Sequence, residues 1–335
     1  MPDLLEAQSF RQSEARRKVR EAPPEIGVTG AQMTSSSEVS TEAARGSRPV
    51  TDSGPRPLDS QLDVYGLTHP GKKRPNNEDH FLICALQKRM EVYHTSLPDT
   101  SHLGANERMA FLIMVADGVG GAVAGEEASR LALEAVTRYV SGTLHCYYTS
   151  DPHDDTNFMH ELEEAALKVH NEIAAASASD RSLRGMATTL TLFLGIWPRG
   201  YLLQVGDSRA YNLKDGNLVQ TTRDQTMAEE LIDQGVFTRA DAAQTKWAHV
   251  LSSAIGGPQA APVVRGFDQA WGQVGLMCSD GLTRHVSDDQ IRDRLMSMTS
   301  SRQACETLLQ DALDAGGTDN ITIIVARTVG RDQKQ

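Results

Sequence analysis

The chain has 335 residues, a formal net charge of −11 at pH 7, 39% hydrophobic residues and only 5% aromatic residues. This length suits one large core or two smaller ones, and the composition is that of a globular protein with some excess polar sequence. A net acidic chain lacks the clustered lysine and arginine that bind a phosphate backbone, so we expect no nucleic-acid partner.

The first 58 residues are rich in Ser, Thr, Glu, Arg and Pro and contain few large apolar residues. Such a segment buries too little apolar surface to offset the entropy lost on folding, so we predict a disordered tail over 1–58. The alternative for Leu4–Arg20 is a short helix against a partner. We predict one folded domain over 59–330 and a C-terminal tail over 331–335.

The N-terminal region lacks the continuous apolar run of a secretory signal, and no window has the length of a membrane span. The four cysteines are scattered without a CxxC pair, which favours a reducing compartment. We therefore expect a cytoplasmic protein without membrane contact.

From residue 61 onward, apolar and β-branched runs that predict strands alternate with runs of helical periodicity. Helices are predicted around 128–139 and over 156–178, 288–298 and 302–315, with Ser287 as an N-cap. Strands joined by hairpins, with paired helices between and after them, predict an α+β fold of antiparallel sheets faced by helices. The predicted strands are 62–69, 79–86, 108–118, 187–197, 200–205, 208–213, 273–281 and 320–328.

Acidic residues stand where several predicted strands end in glycine-containing turns. A strand end fixes a carboxylate rigidly, and a neighbouring glycine lets the backbone approach a ligand closely. Hard cations such as Mg²⁺ and Mn²⁺ take oxygen ligands, so these residues predict a metal site, although each motif alone is also typical of an ordinary turn or helix cap. The residues are Glu78, Asp79, Asp117, Asp207, Asp280 and Asp319.

Seven motifs in the same order resemble those of the metal-dependent protein phosphatases, the type 2C serine/threonine phosphatases, in their bacterial form. The resemblance covers residues 62–328 and implies an α/β/β/α sandwich of two antiparallel sheets flanked by helix pairs, with 59–330 as the catalytic domain. The motifs are Arg74-Pro-Asn-Asn-Glu-Asp79, Ala116-Asp-Gly-Val-Gly-Gly121, Gly125-Glu-Glu-Ala-Ser129, Gly185-Met-Ala-Thr-Thr189, Gly206-Asp-Ser-Arg-Ala-Tyr211, Cys278-Ser-Asp-Gly-Leu-Thr283 and Gly317-Thr-Asp-Asn-Ile-Thr322.

The resemblance also implies a centre with two Mn²⁺ or Mg²⁺ ions at one end of the sandwich. By motif position, Asp117 is the carboxylate that bridges the two ions. Glu78 and the Gly118 carbonyl complete one site, and Asp280 and Asp319 complete the other.

Three further residues receive roles from the resemblance. Asp79 is expected to hold metal-bound water, and Arg74 to bind the substrate phosphate, unless Arg74 is an ordinary surface charge. Asp180 is the nearest candidate for a third metal, and a solvated loop aspartate is the alternative.

The implied activity is hydrolysis of phosphoserine and phosphothreonine in proteins by a hydroxide that bridges the two metals. The implied partners are a phosphorylated protein and an opposing serine/threonine kinase. Two other hypotheses stay open, namely a catalytically silent binding or signalling module and a hydrolase of small phosphoesters.

Three residues depart from the family pattern. Val119 stands where eukaryotic relatives have a histidine thought to protonate the leaving group, Ala187 replaces a glycine, and Gln225 replaces a histidine. Loops on a rigid scaffold carry specificity, so we expect substrate choice in the flap region 227–271 and in the polar connection 87–107.

Overall fold

The computed structural model describes residues 54–88, 107–149, 155–242 and 245–330. The tail predicted for residues 1–53, with the alternative of a helix over Leu4–Arg20, lies outside this range. So do the predicted tail 331–335 and all but the two ends of the connection 87–107.

Eleven strands in the described residues form two sheets in which every pair of neighbours is antiparallel. One sheet has the order β1-β11-β10-β7-β8, and the other has the order β2-β3-β5-β6-β9, with β4 paired to the end of β3. The strands are β1 (Leu62–His69), β2 (Asp79–Lys88), β3 (Glu107–Val119), β4 (Ala187–Thr188), β5 (Leu190–Ile196), β6 (Arg199–Val205), β7 (Arg209–Lys214), β8 (Asn217–Gln220), β9 (Val263–Asp268), β10 (Val274–Cys278) and β11 (Ile321–Thr328).

Helices cover the outer face of each sheet. The long helices α1 and α2 lie on the six-stranded sheet, and α6 and α7 lie on the five-stranded sheet. The predicted stripe on α1 is confirmed, because Ala128, Ala132 and Ala135 are buried against the sheet. The helices are α1 (Ala122–Thr149), α2 (Thr156–Ser179), α3 (Met227–Asp233), α4 (Arg239–Ala242), α5 (Asp280–Thr283), α6 (Asp288–Met296) and α7 (Ser301–Asp314).

A separate apolar layer joins the two sheets. Ile113 and Leu202 come from the six-stranded sheet, and Met277 and Ile324 come from the five-stranded sheet. Burial of such side chains on both inner faces holds a sheet sandwich together. The order helix, sheet, sheet, helix confirms the predicted α/β/β/α architecture.

Two local predictions need correction. Strands β8 and β9 were not predicted, because both are short edge strands with polar or charged residues among few apolar ones. Since β9 pairs with β6, the last part of the region 227–271 belongs to the sheet rather than to a flap.

Ser287 is confirmed as the N-cap of α6, where its hydroxyl accepts a hydrogen bond from the Gln290 N–H.

The two ends of the sandwich are distinguished by the direction of the strands. We call the end at which β3 stops and β2 and β11 begin the front end, and the opposite end the back end. Within the described residues, no helix has the length and hydropathy needed to cross a membrane.

At the back end the chain is in contact with the sandwich from Gly54 onward. The indole N–H groups of Trp197 and Trp271 donate to the carbonyls of Gly54 (3.1 Å) and Pro55 (3.0 Å), and Pro57 is buried. The predicted tail boundary at residue 58 therefore includes a few residues that pack on the domain.

Candidate metal centre

The front end gathers acidic residues from both sheets. Asp79 begins β2 and lies directly opposite Asp117, near the end of the neighbouring strand β3. Asp280 follows β10 as the first residue of α5, and Asp319 precedes β11, which pairs with β10. The fold thus brings together at one end carboxylates that are far apart in the sequence.

Asp79 is buried at the centre of this group. Its Oδ2 accepts hydrogen bonds from the hydroxyls of Ser279 and Thr322, both at 2.7 Å. Its Oδ1 is also buried and has no hydrogen-bond partner among the described residues. Burial raises the pKa of Asp79 to about 7 against the opposing effect of these two hydroxyls, so this carboxyl favours an additional cationic partner.

Asp117 is held by its backbone and crowded by other acids. Its N–H donates to the Thr189 hydroxyl, and its carbonyl accepts from the Thr189 N–H, both at 2.9 Å. Burial raises the pKa of Asp117 well above the usual range, and the charges of four neighbouring carboxylates raise it further. Those neighbours are Asp79, Asp280, Asp207 and Asp319.

Glycines allow Glu78 to approach this group. A side chain on Gly125, in the first turns of α1, would place its Cβ 2.0 Å from the Glu78 carboxylate. A Cβ on Gly118 would lie 2.2 Å from the Gly125 carbonyl oxygen. Gly118 is therefore required by close packing against the backbone, and Gly125 leaves space for the Glu78 carboxylate. Burial raises the pKa of Glu78 as well.

Two arginines lie among the outer carboxylates. Arg74 contacts Asp319 through Nε at 2.8 Å, and Arg284 contacts Asp280 through Nε at 2.8 Å and Asp319 through Nη1 at 3.0 Å. With these pairs in place, no three acidic, histidine or cysteine side chains of the described chain stand close enough together to ligate one ion. Arg284 opposes the rise in the pKa of Asp280 that burial causes.

The donor set nevertheless suits a cation. Six acidic side chains share this end with two arginines, and a buried carboxylate oxygen of Asp79 has no described partner. Oxygen donors of this kind are the ligands that Mg²⁺ and Mn²⁺ prefer. The residue types of this centre therefore suit a divalent cation, while Arg74 and Arg284 contact its outer carboxylates.

Sequence reasoning gave no role to several residues of this centre. Arg284 stands four residues after Asp280, a spacing that places an arginine and an aspartate side by side on a helical turn. Asn320 accepts from the Glu78 N–H at 2.8 Å and donates to the Asn76 carbonyl, so it fastens the loop that bears Glu78. Asp207 was noted as a strand-end acid, and the structure buries it close to Asp280.

The departures from the family pattern lie around the centre. Val119 is 43% exposed and pairs with Ala187 across β3 and β4. Gln225 accepts from the Gly206 N–H and donates to the Ala261 carbonyl, both at 2.8 Å, which ties the flap region to the sheet. From the flap, His249 is near enough to lower the pKa of Asp280.

Asp180 has a local structural role. It is exposed, and its carboxylate accepts hydrogen bonds from the Ser182 N–H at 2.8 Å and the Ser182 hydroxyl at 2.7 Å. These bonds lower the pKa of Asp180 and begin the short turn Arg181–Leu183. Its role as a third-metal ligand stays a prediction.

The sequence of this chain is similar to a known protein family. Residues 94–326 match the model of the protein phosphatase 2C family. The serine/threonine protein phosphatase PstP of Mycobacterium tuberculosis is 34% identical over 226 residues, which are 68% of this chain and 42% of that protein. The chain thus spans less than half the length of this relative. The serine/threonine phosphatase stp of Listeria welshimeri is 30% identical over 64% of this chain and 83% of its own length.

Solved structures show the same architecture. The crystal structure of the M. tuberculosis phosphatase PstP/Ppp superposes with a TM-score of 0.63 at 30% identity, covering 80% of this chain and 99% of that one. A structure of the PstP catalytic domain in complex with two manganese ions superposes with a TM-score of 0.61, also at 30% identity and with the same coverage.

Proposed function

Since this chain belongs to the protein phosphatase 2C family, we propose that it is a metal-dependent phosphatase acting on phosphoserine and phosphothreonine in proteins. The observation that carries the proposal is the pair of Asp79 and Asp117, which face each other across β2 and β3, with Asp79 buried and one of its oxygens without a partner among the described residues. Titratable groups with strongly perturbed pKa values cluster at functional sites more often than elsewhere.

Two divalent ions, Mn²⁺ or Mg²⁺, would be held by the residues at the front end. Asp117 would contact both, Glu78 and the Gly118 carbonyl would bind one, and Asp280 and Asp319 would bind the other. When bound, such a pair of ions supplies a water that is nucleophilic at neutral pH and neutralises the phosphoryl oxygens. The two manganese ions in the PstP structure support this proposal.

The chain's own residues have separate tasks in this proposal. Asp79, locked by Ser279 and Thr322, accepts a hydrogen bond or a proton at its free Oδ1. Arg74 has a half-exposed side chain on Asp319, so its planar guanidinium can turn to the phosphate oxygens of a substrate. Val119 has no proton to give, so the leaving serine or threonine takes its proton from water or from another side chain.

The proposed partners follow from this activity. The substrate is a phosphorylated protein, an opposing serine/threonine kinase supplies the phosphate, and both are placed in the cytoplasm. Substrate choice is assigned to the flap residues 227–262, because His249 in the turn Lys246–His249 lies close enough to Asp280 to lower its pKa, and loops on a rigid scaffold carry specificity.

The test is phosphate release from a phosphothreonine peptide, with and without Mn²⁺, by wild type, Asp280→Asn and Asp289→Asn. Asp289 is an exposed aspartate of α6 and serves as the matched control. We expect Mn²⁺-dependent release that Asp280→Asn loses and Asp289→Asn keeps. Release that persists in Asp280→Asn would remove that residue from the metal set.

Two outcomes would select the other hypotheses. Absence of release from wild type, together with absence of Mn²⁺ binding by calorimetry, would favour a silent binding module with this fold. Faster turnover of free small phosphoesters than of a panel of phosphopeptides would favour a small-molecule hydrolase that uses the same centre.

A further inference from the structure

A cavity of about 570 Å³ lies between the two sheets toward the back end, away from the metal centre. Protein cores are packed as densely as organic crystals and have few voids larger than a water molecule. Pockets that bind small molecules have volumes of about 300–1,000 Å³. We call this space the back cavity, and its size is that of a binding site rather than of a packing defect.

The walls of the back cavity are apolar on both sides. Phe111, Phe193 and Phe267 line it from the six-stranded sheet, and Met277 and Ile324 line it from the five-stranded sheet. An apolar chain in this space would be removed from water on two faces, and the burial of each methylene group would favour binding. The walls therefore suit a hydrocarbon chain.

The charged residues of the lining are mostly cationic. Four arginines and one aspartate line the back cavity, in a chain whose net charge is −11. Two of the arginines, Arg108 and Arg327, are paired with Asp59 and Asp63. The other lining charges are Arg56, Arg265 and Asp268.

Among the described residues, the lining arginine Arg265 is held by one long contact. It is exposed on β9 and reaches the Thr221 carbonyl, just after β8, at 3.4 Å, and it has no carboxylate partner in the described part of the chain. Because β8 and β9 are the edge strands of the two sheets, this side chain spans the gap between them. A guanidinium at this position would attract an anionic group at the opening of an apolar space.

We propose that the back cavity binds a single-chain amphiphile of the fatty-acid class, with its hydrocarbon chain between the sheets and its carboxylate at Arg265. This site lies outside the proposed phosphatase centre and does not depend on that activity. The anionic head group distinguishes the ligand from a neutral lipid and from a cationic amphiphile of the same length.

The experiment is calorimetric titration of the full chain with dodecanoate below its micelle-forming concentration, in buffer without divalent cations. We expect saturable binding of one dodecanoate per chain, with a change in tryptophan fluorescence because Trp197 lines the cavity. Dodecyltrimethylammonium, which has the same chain and the opposite charge, is expected to bind more weakly. Absence of saturable dodecanoate binding, or equal affinity for the two amphiphiles, would overturn the proposal.

Two variants locate the site. Ala326→Phe fills the cavity from β11 and is expected to abolish binding. Arg265→Gln keeps the fold and is expected to weaken binding by up to about fivefold, as for a partly solvated ion pair. Arg292→Gln, an exposed arginine of α6 outside the cavity, is the matched control and should bind as wild type. Unchanged affinity in Arg265→Gln would refute the assigned position of the carboxylate, even if Ala326→Phe did not fold.

Discussion

Charged side chains are arranged differently at the two ends of the sandwich. At the back end, Arg199 lies between Asp155 and Asp268, and Arg108 and Arg327 each contact an aspartate. At the front end, six acidic residues lie together with two arginines, Arg74 and Arg284. The buried Oδ1 of Asp79 has no partner among the described residues.

This difference separates residues that stabilise the fold from the residues that we propose to perform the chemistry. A partly buried carboxylate beside an arginine recovers part of the free energy lost on leaving water. A group of buried carboxylates without matching cations raises the free energy of the folded chain, and natural proteins keep such groups where function requires them.

Asp117→Asn removes the central charge of the front end. We expect phosphatase activity to fall by more than about 100-fold, because even an outer-shell partner of a metal ligand can contribute that much. We expect the metal-free protein to be at least as stable as wild type, because a carboxyl repelled by four neighbours is neutralised. Steady-state kinetics and urea unfolding measure the two effects, and a large loss of stability would contradict the assigned role.

Arg199→Met breaks the arrangement at the back end. Asp155 and Asp268 would lose their shared guanidinium, and we expect a loss of about 2 kcal/mol in unfolding free energy. Activity per folded molecule should not change. Arg292→Met, in an exposed pair with Asp289, is the control and should change stability by less than about 0.5 kcal/mol. Equal losses of unfolding free energy in Arg199→Met and Arg292→Met would show that the partial burial of Arg199 with its two aspartates does not contribute to stability.

The stability of the metal-free protein should fall as pH rises from about 4 to about 7. The folded pKa of Asp79 lies near 7, above the usual 3.8, so the folded state binds more protons across this window and loses stability as they are released. We expect the Tm of wild type to decrease over this pH window. In Asp79→Asn the decrease should be smaller by at least about 3 °C, which corresponds to roughly 1 kcal/mol in a domain of this size. Thermal unfolding of wild type and variant in chelator measures it, and parallel pH profiles would refute the assignment.

Arg284→Gln should tighten Mn²⁺ binding by up to about fivefold, the factor expected for one partly solvated ion pair. The reason is that Arg284 contacts Asp280 and Asp319, so it competes with a cation for both carboxylates. Calorimetric titration with Mn²⁺ measures the affinity directly, and Arg302→Gln, an exposed arginine of α7, is the control. Weaker Mn²⁺ binding would mean instead that Arg284 positions these ligands.

The sequence predicted the architecture because its strands and helices have clear hydrophobic periodicity. It also predicted that Asp79 and Asp117 would share one end, because both stand at strand ends within motifs. Their ligand roles stay predictions.

Other features could not be predicted, because they depend on side chains brought together by the complete fold. Ser279 contacts Asp79 across 200 residues of sequence, and no local pattern specifies such a hydrogen bond. Strand β9 has too few apolar residues to be recognised before its partner β6 is known. The back cavity depends on the spacing between two sheets, which no single segment determines.

Asn320 connects the segment just before β2 to the start of β11 at the front end. Its side chain accepts from the Glu78 N–H across 242 residues, and β11, which begins at the next residue, supplies Thr322 to Asp79. A nascent chain on the ribosome lacks these contacts until β11 has emerged and docked between β1 and β10. The acidic centre is thus assembled only after β11 has docked, and a chain that stops short of β11 lacks the hydrogen bonds that hold Glu78 and Asp79 in place.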